Sequence, residues 1–224
     1  MTDDDPPGDA PCFAHRLVGG HVVDAAAWRD VNRFRKAERA RLCAARRALS
    51  PDALRAQSAR IARALDKEAG NPDGRVIAGY WPIRGEPDLR PLFADWAARG
   101  ATVALPVVVE KGAPLAFHRW QPGCAMTRGI WNIPVPAHPD PVQPDLVVVP
   151  LLGVDAAGYR LGNGGGYYDM TLAAHARRPR TIGVGHDFCG IGTIYPQPWD
   201  IPMDRVILDG AVRNRPSPPA GSAP

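Results

Sequence analysis

Four cysteines in 224 residues, Cys12, Cys43, Cys124 and Cys189, lie far apart and form no C-x-x-C pair. That spacing offers neither a zinc knuckle nor a dithiol redox motif, and packed or inert thiols are the expectation. Long apolar runs are also missing. No stretch approaches the ~18 residues that a membrane helix needs, so no span is expected. The first residues, "MTDDDPPGDAP", carry acid and proline where a secretory leader carries base and then an apolar run, which points to the cytoplasm. The histidines, His15, His21, His118, His138, His175 and His186, form no H-E-x-x-H pattern and have no carboxylate at close spacing. Packing or surface is their expected role. Both familiar phosphate-binding signatures are absent, since no Gly-Lys-Ser/Thr closes a P-loop and no intact G-x-G-x-x-G is present. No internal repeat is found.

The rest of the composition is that of a globular chain, with 45% hydrophobic and 22% charged residues. One domain over residues 30–212 is expected, since a chain of this length can bury one sizeable core. Residues 1–29 offer little to such a core, and residues 213–224, "RNRPSPPAGSAP", form a proline and serine tail; both are expected to be loose. A net charge of +4 suits an anionic ligand without demanding nucleic acid. Many of the basic residues cluster between Arg29 and Arg63.

From about Asp30 the apolar residues Val31, Phe34, Leu42, Ala45 and Leu49 recur at helical spacing, with arginine and lysine on the other faces. "SPDAL" then opens a second helix, with Ser50 as cap and Pro51 in its first turn, that runs to about Lys67. A short strand in "RVIAGYWPI", a helix in "EPDLRPLFADWAARG" and a strand in "TVALPVVV" read as a βαβ unit. A further strand, "PLAFHRW", precedes a long proline-dense connection. The run "DLVVVPLLGVD" shows no alternation, as a central parallel strand covered on both faces should not. A helix over about 165–176, the strand "RTIGVGHD" and a final strand near "DRVILDGAV" complete the chain. The fold class is α/β: three layers, α/β/α, with a mostly parallel, Rossmann-like sheet and ligands beyond the carboxyl ends of its strands.

One such end carries "GYRLGNGGGYYDMTL". A strand feeding a glycine-rich turn and then a helix suits an anion, because free amides and the helix dipole face it. The plain alternative is a tight turn with positive φ and close packing. Its neighbours favour a ligand. Arg160 has a planar fork suited to phosphate, and Asp169 lies in the first turn of the following helix. A carboxylate beside a phosphate is repulsive unless a cation bridges them, so the set suggests a metal nucleotide such as Mg-ATP. Tyr167 and Tyr168 point roughly 100° apart on a helix, so one can stack on a flat ring while the other packs.

These residues, taken in order with others, give a resemblance to a known family. The basic helix leading into "ALSPDALRAQS", then "YWPIRGEPDLRPL", "VALPVVVEKGAPLAFHRW", "GIWNIP", "YRLGNGGGYYD" and "PWDIPMD" resemble the 5-formyltetrahydrofolate cyclo-ligase family over about residues 35–209. The resemblance implies a three-layer α/β fold, shared with sugar-phosphate isomerases and CoA-transferases. It also implies Mg²⁺- and ATP-dependent closure of 5-formyltetrahydrofolate, with or without a polyglutamate tail, to 5,10-methenyltetrahydrofolate with release of ADP and phosphate. By the same resemblance, Arg35, Lys36 and Arg39 go to the ATP phosphates. Arg160, Gly162, Asn163, Gly164, Gly165, Gly166, Tyr167 and Tyr168 form the nucleotide loop. Trp81, Glu86, Trp131 and Tyr167 go to the substrate, Asp169 and Asp200 to the metal, and a catalytic part to Arg160. Each also has a plainer reading: a solvated helix face for the basic residues, a helix-start carboxylate for Glu86, a packed loop tryptophan for Trp131 and a turn aspartate for Asp200. Two positions depart from the family pattern, Asn163 where arginine is frequent and Val135 where glutamine or glutamate is common. A monomer is expected, with no membrane and no obligate nucleic-acid partner. The competing reading is a fold relative without catalysis that uses its arginine-rich helix to bind RNA or another polyanion.

Overall fold

The run that shows no alternation becomes the middle of the structure. In the computed structural model, which describes residues 15–18 (backbone alone) and 21–214, Leu146–Pro150 forms the central strand of a seven-stranded sheet. Its side chains divide between the two faces. Leu146 and Val148 join one apolar cluster, and Val147 and Val149 join another. A strand covered on both sides has no face for polar residues.

In chain order the elements are β1 (His15–Val18), β2 (His21–Asp24), α1 (Ala25–Arg47), α2 (Pro51–Ala69), β3 (Val76–Ala78), α3 (Arg90–Ala98) and β4 (Thr102–Val107). Then come β5 (Ala116–Arg119), β6 (Met126–Arg128), β7 (Pro134–Pro136), β8 (Leu146–Pro150), β9 (Gly153–Val154) and β10 (Arg160–Leu161). The last are α4 (Tyr167–Ala174), β11 (Arg180–Gly185), β12 (Arg205–Leu208) and β13 (Ala211–Asn214). The sheet order is β13-β12-β11-β8-β3-β4-β5. The five inner strands are parallel, and the edges β13 and β5 run antiparallel to their neighbours. Helices α2 and α3 cover one face with Ile61, Leu65, Phe93 and Trp96; α4 covers the other with Leu172. This is the mostly parallel, three-layer arrangement expected from the sequence.

Local chemistry sets the helix ends. Ser50 accepts from the Ala53 amide at 3.2 Å, Pro51 occupies the first turn, and Gly70 ends α2 at φ 79°. Helix α1 begins at Ala25 rather than near Asp30, because Asp24 caps it by accepting from the amides of Ala26 and Ala27 at 2.7 and 3.0 Å. The strands β1 and β2 pair ahead of it. Residues 15–29 therefore include ordered elements where a loose extension was expected. The expectation for residues 1–14 and 215–224 lies outside the described residues.

Two further elements differ from the sequence reading. The final strand is a hairpin, β12 and β13, turning through Asp209 and Gly210 at φ 47° and 90°, as a two-residue Asp-Gly turn requires. The proline-dense connection is not structureless, since β6 and β7 pair within it.

Gly79, just after β3, marks how tightly α3 lies on the sheet: a Cβ there would stand 2.5 Å from the Phe93 ring. Gly79→Ala should therefore lower stability by about 1–3 kcal/mol through overpacking, read as a drop in the urea midpoint with unchanged slope.

Candidate functional site

Beyond the carboxyl ends of the parallel strands, the segment after β3, the bend after β10 and the loop before β12 meet helix α1. The face that α1 turns inward is not the apolar one expected. Arg35, Leu42 and Arg46 are its buried residues, and Arg39 is half-buried. Leu42 packs with Leu152, Leu161 and Ile194 while the three arginines reach across to other segments. Lys36, one residue and about 100° around from Arg35, is exposed.

Arg35 is enclosed. Its guanidinium donates to the carbonyls of Ile194 and Tyr195 at 2.9 Å each and pairs with Asp200. The two side chains are only 8% and 9% exposed. Asp200 also accepts from the Gln197 amide at 2.7 Å. Arg160 and Asp169 form a second enclosed pair through two contacts, 3.0 and 2.8 Å, and Asp169 accepts from the Ile201 amide at 2.9 Å. The two aspartates expected at a metal are thus each held by a guanidinium. Among the described residues, no group of three His, Cys, Asp or Glu side chains is placed to hold a metal ion. As they stand, Asp169 and Asp200 do not fit the role of resident Mg²⁺ ligands, because each negative charge is already matched.

The glycine bend has the opposite character. Residues 163–166 are exposed, Gly164 and Gly166 sit at φ 106° and 66°, and among the described residues nothing accepts from their four backbone amides. Consecutive free N–H groups in a turned backbone make an anion-binding concavity. Arg39 donates through Nε to the Gly162 carbonyl at 2.8 Å, and its guanidinium carbon would stand 3.7 Å from a Cβ on Gly164. Burial, then Arg35, lowers its pKa; Asp200 opposes them. Among the described residues no ion pair holds its Nη groups. Arg39 is therefore a cation beside free amides, kept from collapsing onto a carboxylate of the protein.

A flat wall stands next to this bend. The Tyr167 ring folds back over Gly165, where a Cβ would lie 2.6 Å from it, and Trp131 meets that ring edge-on at 5.3 Å. Trp131 is 57% exposed and holds φ at 57°. An exposed tryptophan in the left-handed region is the kind of strain that gathers at binding sites. Tyr167 also accepts from the Gly112 amide at 3.2 Å. Tyr168 points elsewhere, into the core under α4, with the Arg160 guanidinium 5.6 Å from its ring centre. Burial and then the charge of Glu86 raise its phenol pKa, so Tyr168 and Glu86 are electrostatic neighbours. The two tyrosine side chains point apart, as adjacent helical residues do.

Glu86 closes the turn after β3: it accepts from the Ile83 amide at 3.1 Å and lies 3.7 Å from Arg46. Burial pushes its carboxyl up to about 7, against the lowering influence of that amide, Arg46 and Arg84. A buried acid that titrates near neutrality can either accept from or donate to a ligand. Trp81 instead packs on the main core, with the Arg90 guanidinium 4.7 Å from its ring centre. Asn163 is exposed on the bend, while Val135 is buried against Gly129.

With this geometry in view, the family model for the 5-formyltetrahydrofolate cyclo-ligase family matches residues 31–209. The chain belongs to that family. Membership makes it an enzyme of the cyclo-ligase class. It is 33% identical over 142 residues to the 5-formyltetrahydrofolate cyclo-ligase of Mycolicibacterium smegmatis, covering 60% of this chain and 73% of that one. Identity to the Escherichia coli K12 protein of the same name is 28% over 174 residues, 75% of this chain and 96% of the relative. The NMR structure of the Aquifex aeolicus 5,10-methenyltetrahydrofolate synthetase superposes with a TM-score of 0.71 at 27% identity, covering 85% of this chain and 97% of that one. No helix of the described residues is long and apolar enough to cross a membrane.

Sequence reasoning passed over Arg46, Gln57 and His186. Arg46 donates to the Leu151 carbonyl at 2.7 Å and approaches Glu86; its only signal was a position eleven residues after Arg35 on the same helical face.

Two outcomes follow. Asp200→Asn should cost about 3–5 kcal/mol by leaving Arg35 uncompensated, and the loss in thermal or urea stability should be the same with and without Mg²⁺. For Glu86, the folded carboxyl binds its proton more tightly than the ordinary value of 4.5, so stability should fall as pH rises from about 4.5 to about 7 and level off above that. Urea titrations across that range should show the slope, and Glu86→Gln should remove it.

Proposed function

We propose that the protein uses Mg-ATP to cyclise 5-formyltetrahydrofolate to 5,10-methenyltetrahydrofolate, releasing ADP and phosphate. The observation that carries this reading is the bend of four free amides beside the unmatched Arg39 guanidinium, walled by Trp131 and Tyr167. Triphosphate is the ligand class such a site suits, and a reduced pterin is a flat ring that the aromatic pair can cover. Mg²⁺ is taken as part of the nucleotide substrate.

The chemistry calls for no nucleophilic side chain. The formyl oxygen takes the γ-phosphoryl group, N10 then attacks the activated carbon, and phosphate departs from that carbon. What the protein must supply is alignment and a match for developing negative charge. In this reading the free amides of 163–166 and Arg39 receive the phosphates, while Tyr167 and Trp131 keep the acceptor beside them. Glu86 orients the pterin through its polar edge from the buried turn after β3. Arg160, matched by Asp169 and set against Tyr168, keeps the bend and the Glu86 pocket in register. The polyanion-binding alternative has less support. Arg35 and Arg46 are turned inward, and on the outer face of α1 Arg33 pairs with Asp30 and Arg41 with Glu38.

The test is direct. Protein mixed with 5-formyltetrahydrofolate, Mg²⁺ and ATP should produce methenyl absorbance with one ADP released per turnover, and absence of an ATP-dependent rise would refute the reading. Arg39→Ala should raise the KM for Mg-ATP by about tenfold or more, one charge-assisted hydrogen bond being worth about 1.5–3 kcal/mol, with the folate KM little changed.

A further inference from the structure

The turn that presents Glu86 is met from outside by a buried histidine far from it along the chain. Arg84 and Gly85 are consecutive residues at positive φ, 50° and 76°. For arginine that conformation is unfavourable by about 1 kcal/mol and persists only where the surroundings enforce it. One contact on this pair comes from His186, in the loop after β11. The central strand β8 lies between β11 and β3 in the sheet, so His186 reaches across its end to the turn. His186 is 0% exposed; its Nε2 meets the Gly85 carbonyl at 2.8 Å, and its Nδ1 faces the side-chain oxygen Oε1 of Gln57 on α2 at 2.5 Å. The Gly85 carbonyl can only accept, so Nε2 carries the proton; burial lowers the ring's pKa and favours the neutral form, whose Nδ1 then accepts, so the Gln57 amide must be turned to present its N–H there. The ring is further fixed by stacking on Phe188 at 5.2 Å.

We propose that His186, aligned by Gln57, is a positioning residue for the folate side of the site: it holds the Gly85 carbonyl and thereby sets where Glu86 points. This rests on the assignment of Glu86 to the pterin. The turn's other restraints lie to either side of Gly85: Glu86 closes it through the Ile83 carbonyl and amide, the Arg46 side chain packs on Gly85, and beyond it the Tyr80 hydroxyl donates to the Pro87 carbonyl at 2.6 Å and the Asp88 amide to Ser58 at 3.0 Å. Without His186 the Gly85 carbonyl loses its donor and the left-handed pair loses its outer support. Among the described residues, the hydrogen bonds and ring contact of His186 go to Gly85, Gln57 and Phe188 and not to the bend at 163–166, so nucleotide binding should be spared.

The experiment compares two amides at one position. In His186→Gln the side-chain nitrogen can reach about as far as Nε2, whereas in His186→Asn it reaches only as far as Nδ1. The Asn variant should raise the KM for 5-formyltetrahydrofolate by about fivefold or more, with the Mg-ATP KM within about twofold, and the Gln variant should recover most of the loss. A purely structural histidine would give two variants alike, or would shift both KM values together; either result overturns the proposal. Should the Asn variant fail to fold, Gln57→Met replaces it. A smaller rise in the folate KM alone supports the proposal, and an unchanged one overturns it. Glu86→Gln is assayed alongside. If Glu86→Gln raises the folate KM and the Asn variant does not, His186 has no positioning role. If Glu86→Gln leaves the folate KM unchanged, the assignment of Glu86 falls, and the proposal with it.

Discussion

A guanidinium taken out of water must be matched where it lies, and three of them organise this molecule. Arg35, Arg46 and Arg160 are buried; Arg35 and Arg160 each pair with a carboxylate and donate to backbone carbonyl oxygen, while Arg46 donates to the Leu151 carbonyl with the Glu86 carboxyl 3.7 Å away. An unmatched charge in such a place would cost several kcal/mol, so the segments that carry the partners are constrained to stay put. Arg35 fixes the loop at 194–200 to α1, Arg160 fixes the start of α4 to the residues around Ile201, and Arg46 spans the end of β8 and the turn of Glu86. Loops from four parts of the chain are thereby held as one surface beyond the strand ends.

What this network leaves unmatched is where a ligand would find purchase. Among the described residues, four amides of the glycine bend and the outer nitrogens of Arg39 have no hydrogen-bond or ion-pair partner, and Trp131, met by Tyr167, is still largely exposed. Glu86 is a different kind of incompleteness: it lies beside Arg46 at 3.7 Å, too far for a tight pair, and burial keeps its proton affinity high. Matched charges give rigidity, and unmatched groups on that rigid frame give affinity. The aspartates illustrate the division. Asp169 and Asp200 look alike in sequence as candidate metal ligands, yet in this fold each belongs to the frame.

Much of the architecture was legible because it rests on local chemistry. Ser50, Pro51 and Gly70 delimit α2 wherever the helix packs, and the apolar run of β8 can only be a strand buried on both faces. The glycine bend was legible for the same reason: no other residue combination gives a short exposed turn of that shape between a strand and a helix. The Asp-Gly turn between β12 and β13 was equally visible but was read through as one strand. The inward face of α1 was not visible. Periodicity assigns apolar residues to the core and arginines to water, and it fails where a buried arginine meets a carboxylate about 165 residues away. His186 was hidden likewise, since Gln57 and Gly85 lie 129 and 101 residues from it along the chain.

By itself, then, the order of residues determined the layers, the helix caps, the central strand and the glycine-rich bend, all of which depend on neighbours within a few positions. Only the tertiary structure decided which charges are spent on holding the fold and which remain for a ligand. The reason is physical: local geometry follows from steric and hydrogen-bonding preferences of adjacent residues, whereas the fate of a charge depends on what the fold brings within a few ångströms of it.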